Sequence, residues 1–322
     1  MMSDLTVVMY HYVRRIHDSR YPGIKGLEFD LFLEQVAYIK KNYTPITIEQ
    51  AIHSFESGEK LPNHAILLTF DDAYSDHFIN VYPVLKKNNI QGCFYAPAKA
   101  ITENIILDVN KLHFILSSCK DLSKIINHIK ILLEKERKNH NIKNFDEYYS
   151  ELAIANRFDS ANTIFIKRLL QVALPEPIRN RICDHLFKYY VEIDEKSFSK
   201  ELYMNKFQLE HMINDGMHVG AHGYDHYWWN KLTDSELNQE IELSLHFLNT
   251  IGADNQNWTA CYPYGSSSDN VVNKLGKMGC KIAFTTQVDI ANINSNHRLL
   301  IPRLDTNDLP KHRDAKNNKW FK

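Results

Sequence analysis

The feature that most constrains this chain is a mostly apolar run at residues 65–70 that ends in two adjacent aspartates, Asp71 and Asp72. An unbroken run of this kind is typical of a strand buried on both faces of a parallel sheet. Two carboxylates at the end of a buried strand are costly unless they are paired or bound to a metal. Parallel α/β folds build their sites at that end, so the run predicts an α/β protein with a site there. The alternative is a helix cap beside a solvated acid.

Strand and helix patterns alternate on both sides of a long helical stretch. Strands are predicted at 5–10, 91–96, 217–222, 259–262, 281–286 and 299–302, and helices at 29–41, after Thr47, near 82–88 and at 235–250. This order indicates parallel βα units. From about 102 to 205 helical periodicity replaces the strand patterns, broken by Pro175 and Pro177. We therefore predict a single domain, residues 1–322, interrupted by a mainly helical insertion at about 102–205.

Composition excludes several classes of protein. The 322 residues are 44% apolar and 24% charged, with a formal net charge of −1, which argues against disorder and against a nucleic-acid partner. The five cysteines are widely spaced, which indicates buried thiols rather than a disulfide framework or a zinc cysteine cluster. The N-terminus lacks the pattern of a signal peptide, and no stretch approaches the length of a membrane span. These observations predict a cytoplasmic protein.

Two histidines, His222 and His226, follow the predicted strand at 217–222. Residues four apart can both reach one ion if the backbone is helical or turn-like. The alternative is a pair of surface histidines in a chain that has sixteen. The metalloprotease pattern does not fit, because Gly223 stands where its glutamate would be.

Three other segments follow predicted strands. The segment 262–265 reads Tyr-Pro-Tyr-Gly, which predicts either a turn that aims a backbone N–H into a cleft or an ordinary connection. His11 follows the first strand and by itself could be a hydrogen-bonded structural residue. A charged segment at 302–308 contains Arg303 and Asp305, and it could be a charged loop or could hold the site.

The order and spacing of these pieces resemble the polysaccharide deacetylases, carbohydrate esterase family 4. The Thr-Phe-Asp-Asp motif of that family is whole at residues 69–72, and its His-Ser/Thr-x-x-His motif reads His-Gly-Tyr-Asp-His at 222–226. In the branch that resembles poly-N-acetylglucosamine deacetylases, a Tyr-Pro-x-Gly turn matches 262–265, although Ala260 stands at its aromatic position. The N-terminal Tyr-His element of that branch matches residues 10–11. The resemblance covers roughly residues 5–101 and 206–310.

The resemblance implies a distorted (β/α) barrel of the polysaccharide deacetylase type with a helical insertion. It also implies that Asp72, His222 and His226 bind one divalent metal ion. Zinc is the first expectation, and cobalt, nickel, iron or manganese suit the same ligands.

The same resemblance implies catalytic roles. Asp71 would be the general base, the backbone N–H of Tyr264 would stabilise the oxyanion, and His11 would protonate the leaving amine. The other branch carries an arginine where Cys261 lies here. Another residue of this chain must therefore take the role of that arginine. Candidates for supporting or substrate contacts are Arg303, Asp305 and Tyr262.

The function implied is that of a metal-dependent hydrolase that removes an N-acetyl or other N-acyl group from an amino sugar, in surface polysaccharide or glycan biosynthesis. The substrate would be nucleotide-linked, lipid-linked or an oligosaccharide, and Tyr227, Trp228 and Trp229 could stack on its ring or pack in the core. Alternatives are an amidohydrolase, metal-dependent or not, acting on a non-sugar amide, and a non-catalytic carbohydrate-binding protein. Iron oxygenases share the ligand set but usually use antiparallel jelly-roll strands.

Overall fold

A computed structural model describes residues 4–155 and 159–322 of the chain. Within these ranges the chain forms two compact units. The first comprises residues 4–15, Gly26–Ile105 and Ser199–Lys322, and the second comprises Ile16–Lys25 and the described part of Ile106–Phe198.

The regular elements of the described residues are short strands and helices of moderate length. The strands are β1 (Asp4–Tyr10), β2 (Val13–Arg14), β3 (Leu27–Glu28), β4 (Thr44–Pro45), β5 (Ala65–Asp71), β6 (Gly92–Ala96), β7 (His218–Ala221), β8 (Ala260–Cys261), β9 (Ala283–Phe284), β10 (Ala291–Asn292) and β11 (Leu304–Asp305). The α-helices are α1 (Phe29–Asn42), α2 (Ile48–Ser57), α3 (Tyr82–Lys87), α4 (Ala98–Thr102), α5 (Asp108–Ser118), α6 (Leu122–Arg137), α7 (Phe145–Leu152), α8 (Ala161–Arg168), α9 (Glu176–Tyr190), α10 (Glu195–Leu202), α11 (Lys206–Asn214), α12 (Asp234–Thr250) and α13 (Asp269–Lys277). None of the helices in these ranges has the length and apolar character needed to cross a membrane.

The first unit is built on a nine-stranded sheet. Seven strands follow the order β10-β1-β5-β6-β7-β8-β9, while β11 also pairs with β1 and β4 pairs with β5. Strand β10 runs antiparallel to β1, and the other pairings in this sheet are parallel. This mainly parallel sheet, with helices between the successive strands of the chain from β3 to β9, has the alternation of an α/β protein and confirms the predicted class.

Strand β5 carries the aspartate motif into the interior. All seven of its residues are buried, as its mostly apolar sequence predicts. Its even-numbered residues join one apolar cluster, while Ala65 and Leu67 join another. Because alternate residues of a strand point to opposite faces, Thr69 and Asp71 continue the row of Ala65 and Leu67. The strand therefore places Asp71 on the same face of the sheet as a buried apolar cluster.

Helix α2 begins with the capping box that its sequence predicts. The Thr47 hydroxyl accepts from the backbone N–H of Gln50 at 3.3 Å, and the Gln50 side chain accepts from that of Thr47 at 2.9 Å. Each contact satisfies a donor that the first helical turn leaves without a partner.

The helical character predicted for the middle of the chain is confirmed. Among the described residues, the six helices α5 to α10 lie there, and α9 starts at Glu176 with Pro177 in its first turn. A short π-helical segment, Leu169–Ala173, ends just before Pro175, so the two prolines separate helices as predicted. The assignment of one domain with an insertion at about 102–205 stays a prediction.

The last strands differ from the prediction. Residues 299–302 form no strand, and Ile301 makes only an isolated bridge with Phe284. Strands β10 and β11 were not predicted, because two residues are too few to show an alternating pattern.

Candidate metal centre

The candidate site forms where several parallel strands end. Asp71 is the last residue of β5 and Asp72 follows it, while His222 follows β7 directly. The register pairs Ala221 with Ala260 of the neighbouring strand β8. Because parallel strands place their carboxyl ends at one edge, residues far apart in sequence meet there.

Asp72 lies in a left-handed turn. Its φ is 74° and that of Ala73 is 51°, a conformation that costs a non-glycine residue about 1–2 kcal/mol. The Tyr74 hydroxyl donates to Asp72 Oδ2 at 2.6 Å. Oδ1 is buried and has no hydrogen-bond partner in the described part of the chain. One carboxylate oxygen is thus held by Tyr74, and the other is available to a ligand.

Asp72, His222 and His226 face one another in a buried cluster. Nε2 of His222 lies 3.4 Å from Asp72 Oδ1, and Nε2 of His226 lies 3.5 Å from the same oxygen. Ligand atoms around one tetrahedral ion, with bonds of about 2.1 Å, lie roughly 3.4 Å apart. The two distances therefore fit three residues that share one cation.

The proton on His222 is placed by its partner. Nδ1 lies 2.9 Å from the Cys261 carbonyl, and because a carbonyl only accepts, Nδ1 carries the hydrogen. Nε2 therefore faces Asp72 Oδ1 with its lone pair, so a proton or a cation must stand between them. Burial lowers the pKa of His222, but the nearby carboxylates of Asp72 and Asp71 raise it above its ordinary value.

The pKa of His226 is lowered, whereas that of His222 is raised. Burial and the charge of His222 lower the pKa of His226 to about 3, so its ring is neutral and can offer a lone pair. A buried carboxylate oxygen without a hydrogen bond, beside two imidazole nitrogens, fits a divalent cation by the chemistry of its donors.

Asp71 is paired with Arg303. Nη1 donates to Oδ1 at 2.9 Å and Nη2 donates to Oδ2 at 2.8 Å. The guanidinium also donates to the Thr285 carbonyl at 2.9 Å and to the Thr69 hydroxyl at 3.1 Å. Burial raises the pKa of Asp71, but the charges of Arg303 and His222 outweigh it and bring the value to about 2. Asp71 is therefore ionised at neutral pH.

Arg303 contacts Cys261, the position at which the family's other branch has an arginine. The Nη1 of Arg303 lies 3.1 Å from Cys261 Sγ. The structure thus brings an arginine to the same place from a segment 42 positions further along the chain.

His11 follows β1 and is partly exposed. Its backbone carbonyl accepts from Nε2 of the buried His77 at 2.8 Å, which fixes the chain where His11 leaves the strand. The charge of His11 lowers the pKa of both Asp71 and Asp72, after the larger effects of burial and of their hydrogen-bonded partners. His11 is therefore electrostatically coupled to both carboxylates.

Tyr264 lies in a 3-10 turn, Pro263–Gly265, with a left-handed φ of 57°. Its ring stacks on Trp228 with centroids 4.7 Å apart, and it meets His226 edge-on at 4.7 Å. Trp228 is half-buried beside the candidate ligands, whereas Trp229 is 1% exposed and packs in the core. The aromatic run therefore serves both the site and the core.

Tyr262 and Asp305 make other contacts. The buried Tyr262 donates its hydroxyl to the Leu299 carbonyl at 2.6 Å. Asp305 Oδ1 accepts from the backbone N–H of Asn307 at 2.8 Å, which closes a turn after β11. Of the three residues predicted to make supporting or substrate contacts, Arg303 is the one that donates to a carboxylate of the aspartate motif.

Three residues beside the site were not predicted from the sequence: Tyr74, His77 and Glu240. Glu240 did leave a signal, because it stands between Leu237 and Ile241 on the buried face of α12. A carboxylate on an apolar helix face requires a polar partner. Tyr74 and His77 left no comparable pattern.

The chain is similar to known proteins in sequence and in fold. The family model described as polysaccharide deacetylase matches residues 58–144 and 178–283, more than half of the chain. A stretch of 54 residues is 39% identical to the poly-beta-1,6-N-acetyl-D-glucosamine N-deacetylase of Escherichia coli (strain K12). That match covers 16% of this chain and 8% of the length of the relative.

Solved structures share the fold. The Streptococcus pyogenes deacetylase PplD, in complex with acetate, has a TM-score of 0.59 at 15% identity, covering 95% of this chain and 93% of that one. IcaB from Ammonifex degensii has a TM-score of 0.57 at 16% identity, covering 94% and 92%. These likenesses confirm the barrel-type α/β fold that was predicted. The match to the family model over more than half of its length shows that the chain belongs to the polysaccharide deacetylase family.

Proposed function

We propose that this protein is a metal-dependent hydrolase that removes an N-acetyl or other N-acyl group from an amino sugar, in surface polysaccharide or glycan biosynthesis. The observation that carries the proposal is that two adjacent carboxylates have different partners: Asp72 faces two histidines, and Asp71 is held by a buried arginine. Family membership supports the amide bond of an amino sugar as the bond cleaved.

Asp72, His222 and His226 would hold one divalent cation, with zinc as the first expectation and cobalt, nickel, iron or manganese as others. When bound there, such an ion makes water more acidic and polarises an acyl carbonyl. Tyr74 and the Cys261 carbonyl orient two of the three ligands through their hydrogen bonds. Second partners of this kind fix the direction of a ligand's lone pair.

Asp71 is the proposed general base. It is ionised at neutral pH and lies next to the ligand Asp72 in the chain. The two hydrogen bonds from Arg303 fix the plane of its carboxylate. Asp71 would accept a proton from the attacking water, while Asp72 takes no part in proton transfer.

His11 is the proposed general acid. An amide nitrogen leaves at neutral pH only when it is protonated, so the site needs a donor opposite the base. Its electrostatic coupling to Asp71 and Asp72 and the anchoring of its carbonyl by His77 support this role.

Tyr264 is the proposed oxyanion donor through its backbone N–H. Its left-handed turn follows β8, and its ring is held between Trp228 and His226. A donor fixed in this way stabilises the negative charge of a tetrahedral intermediate without reorganising. The stacked Trp228 and Tyr264 rings also offer an apolar face to a sugar that is part of an oligosaccharide or linked to a nucleotide or lipid.

The test is acetate release from N-acetylated oligomers of β-1,6-linked glucosamine, after the purified protein has been incubated with zinc or cobalt. We expect equal amounts of acetate and free amine from the wild type and none above background from Asp71→Asn. Asp314→Asn, on an exposed carboxylate, is the control and should match the wild type. Undiminished release from Asp71→Asn would contradict the base assignment. No release from any N-acetylated sugar would contradict the substrate class.

A further inference from the structure

The three residues between His222 and His226 are held by main-chain contacts on one side. The Gly223 carbonyl accepts from the N–H of Ala98 at 3.2 Å, and the Tyr224 carbonyl accepts from the N–H of Lys99 at 2.9 Å. The Lys99 side chain also binds the Asp225 carboxylate. The first turn of α4 therefore fixes the carbonyl side of this loop.

The N–H side of the same loop is held by one carboxylate, that of Glu240. Its oxygens accept from the N–H of Tyr224 at 2.9 Å and from that of Asp225 at 3.1 and 3.2 Å. Glu240 is 6% exposed and projects from α12. One side chain on α12 thus holds two successive backbone donors of the loop.

The backbone of the loop at residues 223–225 passes close to the Glu240 carboxylate. Gly223 has a φ of +75°, and a Cβ added there would lie 3.1 Å from Glu240 Oε2 and 3.3 Å from Pro263 Cγ. The motif that this loop resembles has a hydroxyl residue at position 223. Here a glycine at position 223 leaves space for a side chain from α12, and the carboxylate of Glu240 occupies that space.

This contact bears on the two histidines, because they flank the residues that Glu240 holds. His222 is fixed by the Cys261 carbonyl. His226 has a left-handed φ of 57°, and its buried Nδ1 has no hydrogen-bond partner among the described residues. The position of His226 therefore depends on the backbone that leads into it, which is the part that Glu240 binds.

We propose that Glu240 is a positioning residue of the metal centre, whose carboxylate holds the backbone of Tyr224 and Asp225 so that His226 and His222 both face Asp72. The inference rests on the proposed metal-binding function. Glu240 touches neither the cation nor the substrate in this arrangement. It acts through the loop alone.

The test is titration of the metal-free protein with Co²⁺ and with Zn²⁺ alone, for the wild type, Glu240→Ala, Glu240→Gln and Glu242→Ala. Glu240→Ala leaves two backbone donors without their acceptor and should weaken binding of both metals about 10–100-fold. Glu240→Gln keeps the shape and one carbonyl acceptor, so it should recover part of the loss, to about fivefold below the wild type. Glu242→Ala, on the exposed side of the same helix, should bind as the wild type does.

The visible absorption of bound Co²⁺ adds a readout of ligand geometry that a loss of general stability does not move. The spectrum of Glu240→Ala should differ from that of the wild type in band position and intensity, and that of Glu242→Ala should not. Equal affinity and equal spectra for the wild type and both Glu240 variants would overturn the positioning role. If Glu240→Ala does not fold, Glu240→Gln decides by the same comparison. A wild type that binds neither metal overturns the proposed function itself, and the inference with it.

Discussion

Arg303 and Asp71 form a buried pair with two parallel hydrogen bonds of 2.9 and 2.8 Å, although they are 232 positions apart in the chain. The pair stands beside the candidate ligand Asp72. Because each carboxylate has its own cationic partner or candidate cation, the two adjacent aspartates can both be ionised in the interior.

Replacing Arg303 by lysine should lower turnover about 10–100-fold and leave metal binding unchanged, because one ammonium cannot reproduce two parallel hydrogen bonds. The free energy of unfolding should fall by about 2 kcal/mol. Chemical denaturation and acetate release measure the two effects. Arg313→Lys alters a partly exposed pair with Glu34 and should change stability by less than about 1 kcal/mol. If Arg303→Lys turned over substrate at the wild-type rate, the two parallel hydrogen bonds to Asp71 would not be needed for catalysis.

Replacing Tyr74 by phenylalanine should weaken zinc binding about tenfold, because Asp72 loses the hydrogen bond that orients it. Competition with a chromophoric chelator gives the dissociation constant. Tyr38→Phe removes a hydroxyl that binds Asn317 and serves as the control. An unchanged zinc affinity in Tyr74→Phe would show that the turn alone places Asp72.

Replacing His11 by glutamine should lower turnover about 10²–10⁴-fold with metal content unchanged, since general acid catalysis contributes a factor of this size. Steady-state kinetics and metal analysis on the same preparation separate the two quantities. His246→Gln, on an exposed face of α12, should behave as the wild type. Loss of metal together with activity would instead place His11 among the ligands.

The stability of the metal-free protein should depend on pH through Glu240. Burial and the charge of Asp225 raise the pKa of Glu240 from 4.5 to about 7, so the folded state holds a proton that the unfolded state has released. The contribution of this proton to the free energy of unfolding is fully present below about pH 4.5 and is lost as the pH rises to about 7. Over this range the free energy of unfolding should fall in the wild type relative to Glu240→Gln. Urea denaturation of both proteins measures the difference, and parallel curves would contradict it.

Sequence patterns predicted the parts of the site that lie in short contiguous motifs. Asp71 and Asp72 end a run whose apolar character defines the strand, and His222 and His226 follow another strand end. The contacts between them depend on tertiary structure. Arg303 could be named as a candidate, but nothing in its local sequence shows that it reaches Asp71 rather than solvent. The partner is set by the strand register and the path of the chain after β9.

Glu240 is a residue whose burial could be predicted from the sequence but whose partners could not. Its place on the buried face of α12 was visible in the sequence, yet its partners are backbone N–H groups, which leave no side-chain pattern to match. Strands β10 and β11 are missed for a related reason. Their two residues are ordered by pairing with β1 rather than by local preference.

The most direct test of the account is the metal content of the purified protein, for the wild type and for the double variant His222→Ala with His226→Ala. The account predicts one divalent ion per chain in the wild type, and its loss in the double variant, while His246→Ala keeps the ion. A wild type that stays metal-free after incubation with zinc, cobalt or nickel, or a double variant that retains a full complement, would contradict the metal centre and the mechanism built on it.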